Sequence, residues 1–195
     1  MKNKNNQATL IRNIVANLNK NDHVFIGNSS PIRMLEQFSG PLKTSLKFLG
    51  NYISRGIDGC TSSALGMSYI NKKTNNILFI GDISLFYDAN AFHVLKDHQI
   101  NLTIIVINNK GGQIFSRLPY AKKNIKDFEK FWVTPLKTNI KDLAKLYHLK
   151  YYKYSENQII KNIKNINVLK GVKIIEVLIN NNQDIKFIKK IEEIV

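Results

Sequence analysis

Apolar positions along this chain fall into two alternating patterns. Leu10, Ile11, Ile14, Val15 and Leu18 recur at helical spacing, which predicts an amphipathic helix over about 7–19. Val24-Phe25-Ile26 is a short wholly apolar run that ends at Gly27-Asn28-Ser29, the pattern of a buried strand and its turn. Ser30 stands at a helix-cap position with Pro31 at the first helical position. Gly40-Pro41 and Gly50 punctuate the next stretch, and small residues from about 58 to 70 predict a helix able to lie close to a sheet or a ligand. Ile77-Leu78-Phe79-Ile80 and residues 102–107 read as two all-apolar strands, with a helix over about 84–97 between them. The tail repeats the theme, with helices at about 139–148 and 156–166, strands at 150–153 and 172–179, and a final helix from about 184.

Strands that are apolar on both faces and separated by helices indicate a parallel sheet covered on both sides. The expected fold class is therefore α/β, a three-layer open and mainly parallel sheet with helices on both faces, in a single domain over residues 1–195. The segment 111–136 breaks the pattern. It is long, mixed and aromatic, with Phe115, Tyr120, Phe128, Phe131 and Trp132, and long loops in compact domains are often functional. Its aromatic part, 115–132, is expected to act as a lid.

Composition narrows the picture only a little. Hydrophobic content of 44% and charged content of 22% are those of a globular chain. The net charge of +15, from 29 Lys+Arg against 14 Asp+Glu, raises the question of nucleic acid. The excess is mostly scattered Lys, with short pairs such as Lys122-Lys123 and Lys189-Lys190, and it comes with abundant Asn and Ile, the mixture an AT-rich coding sequence produces. No arginine-rich block with interleaved aromatics appears, so an anionic small ligand is favoured over nucleic acid. Cys60 is the only cysteine, which excludes an internal disulfide and a thiolate metal cluster and fits a reducing compartment, the cytoplasm or a plastid stroma. Apolar runs such as 103–107 are too short to span a bilayer.

Candidate chemistry follows from the strand ends. In an open parallel sheet, ligands bind at the carboxyl ends of strands. Gly81-Asp82 ends one apolar strand and Asn108-Asn109 the next, and a single crossover makes those ends neighbours. Gly111-Gly112 follows at once and frees backbone carbonyls to turn inward. A carboxylate from Asp82, an amide oxygen from Asn109 and the carbonyl of Gly111 suit a hard cation such as Mg²⁺, with a diphosphate supplying further oxygens. A helix beginning near Ser84 would aim free N–H groups at that anion. Each half taken alone is equally a strand-to-helix turn or an ordinary loop. His23, His93, His98 and His148 show no metal spacing, and Cys60 reads as a small core residue.

Gly81-Asp82 followed some two dozen residues later by Asn108-Asn109 resembles the thiamine diphosphate motif, with Ile83 where many members carry Gly. The stretches VFIGNSSPIR (24–33), GIDG (56–59), GDISLFYDANA (81–91), VINNKGGQIFSRLP (106–119), FEKFWVTP (128–135) and LAKLYHLKYY (143–152) are similar to the 2-succinyl-5-enolpyruvyl-6-hydroxy-3-cyclohexene-1-carboxylate synthases. The resemblance covers almost the whole chain. It implies the thiamine diphosphate-binding fold, thiamine diphosphate and Mg²⁺ as cofactors, and 2-oxoglutarate and isochorismate as substrates in menaquinone or phylloquinone biosynthesis. It assigns Asp82, Asn109 and Gly111 to the metal, and Gly56, Ile57, Asp58, Gly59, Gly81, Ser84, Asn108, Gly112 and Ile114 to the cofactor. Ile114 and Phe115 would line the reaction chamber as the catalytic pair, with Phe115 also meeting substrate, and Ser29 and Arg33 would meet substrate carboxylates.

One departure stands out. Where the resemblance leads to Asn-Arg-Gly-Ala-Ser before GIDG, the chain has Asn51-Tyr52-Ile53-Ser54-Arg55, so a substrate-binding Arg is replaced by Tyr52 and Arg55 becomes the candidate to reach the same carboxylate. The pyrimidine-binding and central domains of such enzymes have no counterpart in these residues. The resemblance thus implies a chain inactive by itself that works in a homo- or hetero-oligomer with a partner carrying the pyrimidine-binding domain. The competing readings are a module of another thiamine diphosphate enzyme, of the 2-oxoacid decarboxylase or acetohydroxyacid synthase type, and a non-catalytic basic binding protein.

Overall fold

The computed structural model describes residues 6–51, 53–119, 121 and 125–192, so Tyr52, Tyr120 and the Lys122-Lys123 pair lie outside it. In chain order the first elements are α1 (Gln7–Val15), β1 (His23–Ile26), α2 (Ser30–Phe38), β2 (Lys47–Leu49), α3 (Cys60–Ile70), β3 (Asn76–Gly81) and α4 (Asp82–Tyr87). A 3-10 helix over Ala89–Lys96 leads to β4 (Thr103–Asn108), then α5 (Ile140–Leu146), β5 (Lys150–Tyr154), α6 (Glu156–Asn167), β6 (Lys173–Leu178) and α7 (Asn181–Glu192).

The six strands form one sheet in the order β2-β1-β3-β4-β6-β5, and every pairing is parallel. Successive side chains of a strand point to opposite faces, so an all-apolar strand feeds two cores. On one face Val24, Ile77, Phe79, Ile105 and Ile175 pack under α1, α2, α6 and α7, through Leu10, Ile14, Met34, Ile163 and Ile188. On the other, Phe25, Leu78, Ile80, Ile104 and Val106 pack under α3, α4 and α5, through Ala64, Leu65, Leu85 and Leu143. This is the expected three-layer architecture. Among the described residues no helix is long and apolar enough to cross a membrane.

Three elements differ from the sequence-based expectation. The edge strand β2 had no apolar signal of its own, because all three of its residues are exposed. The single helix expected over 84–97 is two pieces broken at Asp88. Asp88 turns back to accept hydrogen bonds from the Ser62 amide at 2.7 Å and the Ser62 hydroxyl at 3.0 Å, which caps the first turn of α3 from a distant part of the chain. The long segment after β4 is not plain loop. It contains a 3-10 turn at Gln113–Arg117 and a wide π-type turn at Glu129–Val133.

The chain runs from β1 outward to β2, then returns past β1 to β3 and continues the other way. The reversal between β1 and β3 is a topological switch point, where diverging connections leave a crevice at the strand ends. Gly27 lets the two strands stay close there. Its N–H donates to the Phe79 carbonyl at 2.8 Å, and a Cβ on Gly27 would stand 2.9 Å from that oxygen. Gly27→Ala is expected to lower stability by about 1–3 kcal/mol, read as a lower urea midpoint, because backbone atoms must part to admit the methyl group. An unchanged midpoint would show that β1 and β3 spread freely.

Candidate functional site

Three strand ends build the site. Ser29 and Ser30 follow β1, Gly81 through Ser84 follow β3, and Asn109 with Gly111 through Phe115 follow β4. With Gln7, Ile57, Tyr87 and Trp132 they line one cavity of about 250 Å³ at the switch point. Asp82, Asn109 and Gly111, the three residues expected to share a metal, therefore face a common space.

Asp82 is 3% exposed, and its carboxylate accepts the Gly111 amide hydrogen at 2.8 Å. That bond ties the turn after β4 to the end of β3. The turn needs Gly111, whose φ is 117° and whose Cβ would collide with the Val133 carbonyl oxygen. Gly112 then donates to that same carbonyl at 2.6 Å, which brings the 129–133 turn against the site. Burial pushes the Asp82 carboxyl up to about 6, against the partly offsetting amide hydrogen bonds from Gly111 and Ile83, with Glu176 adding a further upward push. Asn109 is nearly buried, and its side chain makes no hydrogen bond among the described residues. A carboxylate, an amide oxygen and a main-chain carbonyl are all hard donors, the set that a hard divalent cation takes.

The apolar side of the cavity is Ile57, Ile114, Phe115 and Trp132, with Phe115 edge-on to Trp132 at 5.4 Å. Phe128 stacks on Trp132 at 6.3 Å. The Gln113–Arg117 turn is pinned from behind. Asn181 donates to Gln113 at 2.7 Å, and Arg117 pairs with the fully buried Asp184 at 2.7 Å. Asp184 also takes the backbone N–H and side-chain amide of Gln7, joining both ends of the chain behind the chamber wall.

Ser29 lines the cavity in a left-handed conformation with φ 72°, rare for a residue with a side chain. It occupies the cap position that the sequence suggested for Ser30, and it makes no side-chain cap bond. Other expected site residues stand outside the cavity wall. Arg33 is exposed and donates to its own helix at the Ser29 carbonyl, 2.6 Å away. Arg55 is exposed on the loop before GIDG, and of that loop only Ile57 reaches the cavity. Gly56, Asp58 and Gly59 sit behind it. Asn108 turns its side chain away, toward Glu176 and the Lys110 amide.

Sequence reasoning missed the clamps. Asn28 donates to the carbonyls of Asn51 at 2.8 Å and Gly56 at 2.6 Å, and Asn51 donates to that of Gly59 at 3.0 Å. An Asn directly after a strand-ending Gly was the available signal. Gln7 left none, since its role depends on α7 lying beside α1. Cys60 is buried, and burial pushes its thiol up, the behaviour of a core residue. No group of three or more His, Cys, Asp or Glu among the described residues could hold a metal. A larger groove, about 1120 Å³, lies at the amino ends of the strands, far from this chemistry. Lys72, Lys96 and Lys170 on its rim follow helix ends, where cations offset exposed carbonyls.

Residues 44–177 match the family model described as the thiamine pyrophosphate enzyme, C-terminal TPP binding domain. The chain belongs to that family. It is also similar to three bacterial proteins named 2-succinyl-5-enolpyruvyl-6-hydroxy-3-cyclohexene-1-carboxylate synthase. The one from Leuconostoc mesenteroides is 45% identical over 67% of this chain and 24% of that protein. That from Enterococcus faecalis is 37% identical over 75% of this chain and 25% of its own length. The Desulfitobacterium hafniense protein is 33% identical over 89% of this chain and 31% of its own length. The chain thus spans between about a quarter and a third of these curated relatives.

Asp82 yields a prediction with a definite sign. Its carboxyl is raised in the fold from the ordinary 3.8 to about 6, so the folded state binds the proton more tightly. Stability of the metal-free chain from this group is highest below pH 4 and is lost as pH rises through about 6. Asp82→Asn removes that loss and is expected to stabilise the metal-free protein at pH 7 by about 1–3 kcal/mol, with the gain vanishing near pH 4. Urea denaturation at the two pH values checks it. A destabilised variant at pH 7 would contradict the assignment.

Proposed function

We propose that this chain is the cofactor- and metal-gripping module of a 2-succinyl-5-enolpyruvyl-6-hydroxy-3-cyclohexene-1-carboxylate synthase. Such an enzyme decarboxylates 2-oxoglutarate and adds the product to isochorismate. The observation that carries the reading is the shared cavity of Asp82, Asn109 and Gly111 at the β1–β3 switch point, with Ser29 on one side and Ile114 and Phe115 on the other. The names of the relatives, which state their product, support it.

The cavity wall supports a metal-bridged anion over an anion held alone. Among its lining residues there is no Lys or Arg, and there is one acid, Asp82. A bare diphosphate there would meet a buried carboxylate. A Mg²⁺ ion held by Asp82, Asn109 and the Gly111 carbonyl would reverse the sign of the field and take diphosphate oxygens as its remaining ligands. Bound thiamine diphosphate supplies the carbanion chemistry of decarboxylation and carbon–carbon bond formation. The protein's own share would be placement. Ser84 and the first turn of α4 would face the anion, and Ile57, Ile114, Phe115 and Trp132 would supply an apolar, water-excluding wall beside it. Ser29 and Arg33 are the candidates to meet substrate carboxylates, with Arg55 able to approach from its exposed loop.

The module is incomplete on this reading. A cavity of about 250 Å³ is below the ~300–1,000 Å³ that encloses a drug-sized ligand, so it takes the diphosphate end and leaves the rest for another surface. Exposed Tyr87 and Phe131 beside it offer an apolar rim for a chain carrying the pyrimidine-binding domain.

Mixed with such a partner, thiamine diphosphate and Mg²⁺, the protein is expected to form the named product and release CO₂, read by mass spectrometry. Alone it is expected to form none. A preference for pyruvate without use of isochorismate would move the assignment to another thiamine diphosphate enzyme. Absence of any Mg²⁺-dependent thiamine diphosphate binding would overturn it.

A further inference from the structure

Glu176 is an anomaly in the core. It stands in the middle of β6 between Ile175 and Val177 and is 5% exposed. A buried carboxylate costs several kcal/mol unless it is paired, yet its partners are neutral. Asn108 donates to one oxygen at 2.7 Å, and the Tyr151 hydroxyl donates to the other. The ion pair among the described residues is Arg117–Asp184, elsewhere in the fold. No described Lys, Arg or His compensates Glu176, and none lines the cavity beside Asp82.

What Glu176 does hold is Asn108, the last residue of β4. Asn108 is fixed at three points. Its side-chain amide donates to Glu176, its side-chain oxygen accepts the Lys110 amide hydrogen at 3.0 Å, and its backbone carbonyl accepts the Ile179 amide hydrogen at 2.9 Å. The turn that follows is demanding. Lys110 has φ 63° and Gly111 φ 117°, two successive residues in the region that side chains avoid. Such a turn persists only where its ends are over-determined. It presents Asn109 to the cavity and lets the Gly111 amide reach Asp82 at 2.8 Å. Hydrogen bonds thus run without a break from Tyr151 through Glu176 and Asn108 to the metal turn.

We propose that Glu176, anchored by Tyr151, is a positioning residue for the cation site, which orients Asn108 and so sets the turn that carries Asn109 and Gly111. The inference rests on the cation reading given above. Two buried acids, Asp82 and Glu176, are bonded to residues at this turn, and one divalent ion would offset both. Residues that orient metal ligands without touching the metal alter affinity by about 10–100-fold when removed.

The test uses the full chain with thiamine diphosphate and Mn²⁺ in place of Mg²⁺. Free Mn²⁺ is followed by electron paramagnetic resonance, and thermal unfolding is measured without ligand. Glu176→Gln keeps the shape and the Asn108 bond, so it is expected to keep Mn²⁺ affinity close to that of the unmodified chain. Glu176→Leu is expected to lose about 10–100-fold in affinity while its ligand-free melting midpoint holds or rises, since replacing a buried charge by an apolar group is often neutral or stabilising. A purely structural role predicts the reverse, a lowered midpoint with unchanged affinity in the folded fraction. Should Glu176→Leu fail to fold, Tyr151→Phe, which removes the anchor of Glu176, is expected to weaken Mn²⁺ binding and decides. Mn²⁺ affinity in the folded Leu or Phe variant equal to that of the unmodified chain would overturn the inference while leaving the function standing. An unmodified chain that binds no Mn²⁺ with thiamine diphosphate would overturn both.

Discussion

The site depends on how β1 and β3 meet. These neighbours are in register from His23 opposite Asn76 to Ile26 opposite Phe79, yet the chain reaches them by connections that diverge. Neither connection covers the carboxyl ends of the pair, so a crevice is left there whatever side chains are present. Its depth is a backbone matter. Gly27 donates to Phe79 across the last rung and carries no Cβ to force the strands apart. The Asn28 side chain then draws the loops at Asn51 and Gly56 over from the β2 side. The cavity is thus a result of topology, sealed on one edge by an amide side chain. Ser29, on its rim, holds a φ of 72° that side chains avoid.

How far this was legible in the sequence depended on how local the cause was. β3 and β4 announced themselves as all-apolar runs because both of their faces are buried. Gly-Asp and Asn-Asn at their ends then located the donors, since a parallel sheet collects its ligands at that edge. β2 was invisible, because Lys47, Phe48 and Leu49 are all exposed and only the hydrogen bonds to β1 make them a strand. The break at Asp88 was hidden for a different reason. The residues around it have good helical spacing, and what stops the helix is a cap given to α3, 26 residues earlier. Glu176 lies inside the strand KIIEVL, and only the alignment of β6 with β4 shows which amide it serves.

Charge was the misleading signal. A net +15 suggests an anion site lined with lysine, but the cavity at the switch point has none among its lining residues. Lys72, Lys96, Lys150 and Lys170 line the larger groove at the opposite end of the sheet, three of them at or just after helix ends. A positive rim at helix carboxyl ends first cancels the partial negative charge already present. The net potential offered to a ligand there is less than the residue count implies. At the functional end the electrostatics run the other way, with buried acids arranged around amide donors.

That inversion bears on why the aromatic segment is built as it is. A cation between buried acids and a diphosphate gains strength as water is excluded, because the effective dielectric falls. The Gly112 bond to Val133 folds the 129–133 turn over the metal turn, and Trp132 is held between Phe115 and Phe128. These contacts shield one side of the cavity. The far end of the Gln113–Arg117 turn is fixed by Asn181 and Asp184, so the wall is braced from α7 and cannot simply swing outward. Asp184 itself is buried and compensated by Arg117 and by the two donors of Gln7. Removing any one of them would leave a buried charge short of partners, and the strain would pass directly to the turn bearing Ile114 and Phe115. The first and last helices of the described chain are therefore part of the site, although neither lies within residues 44–177 that carry the family likeness.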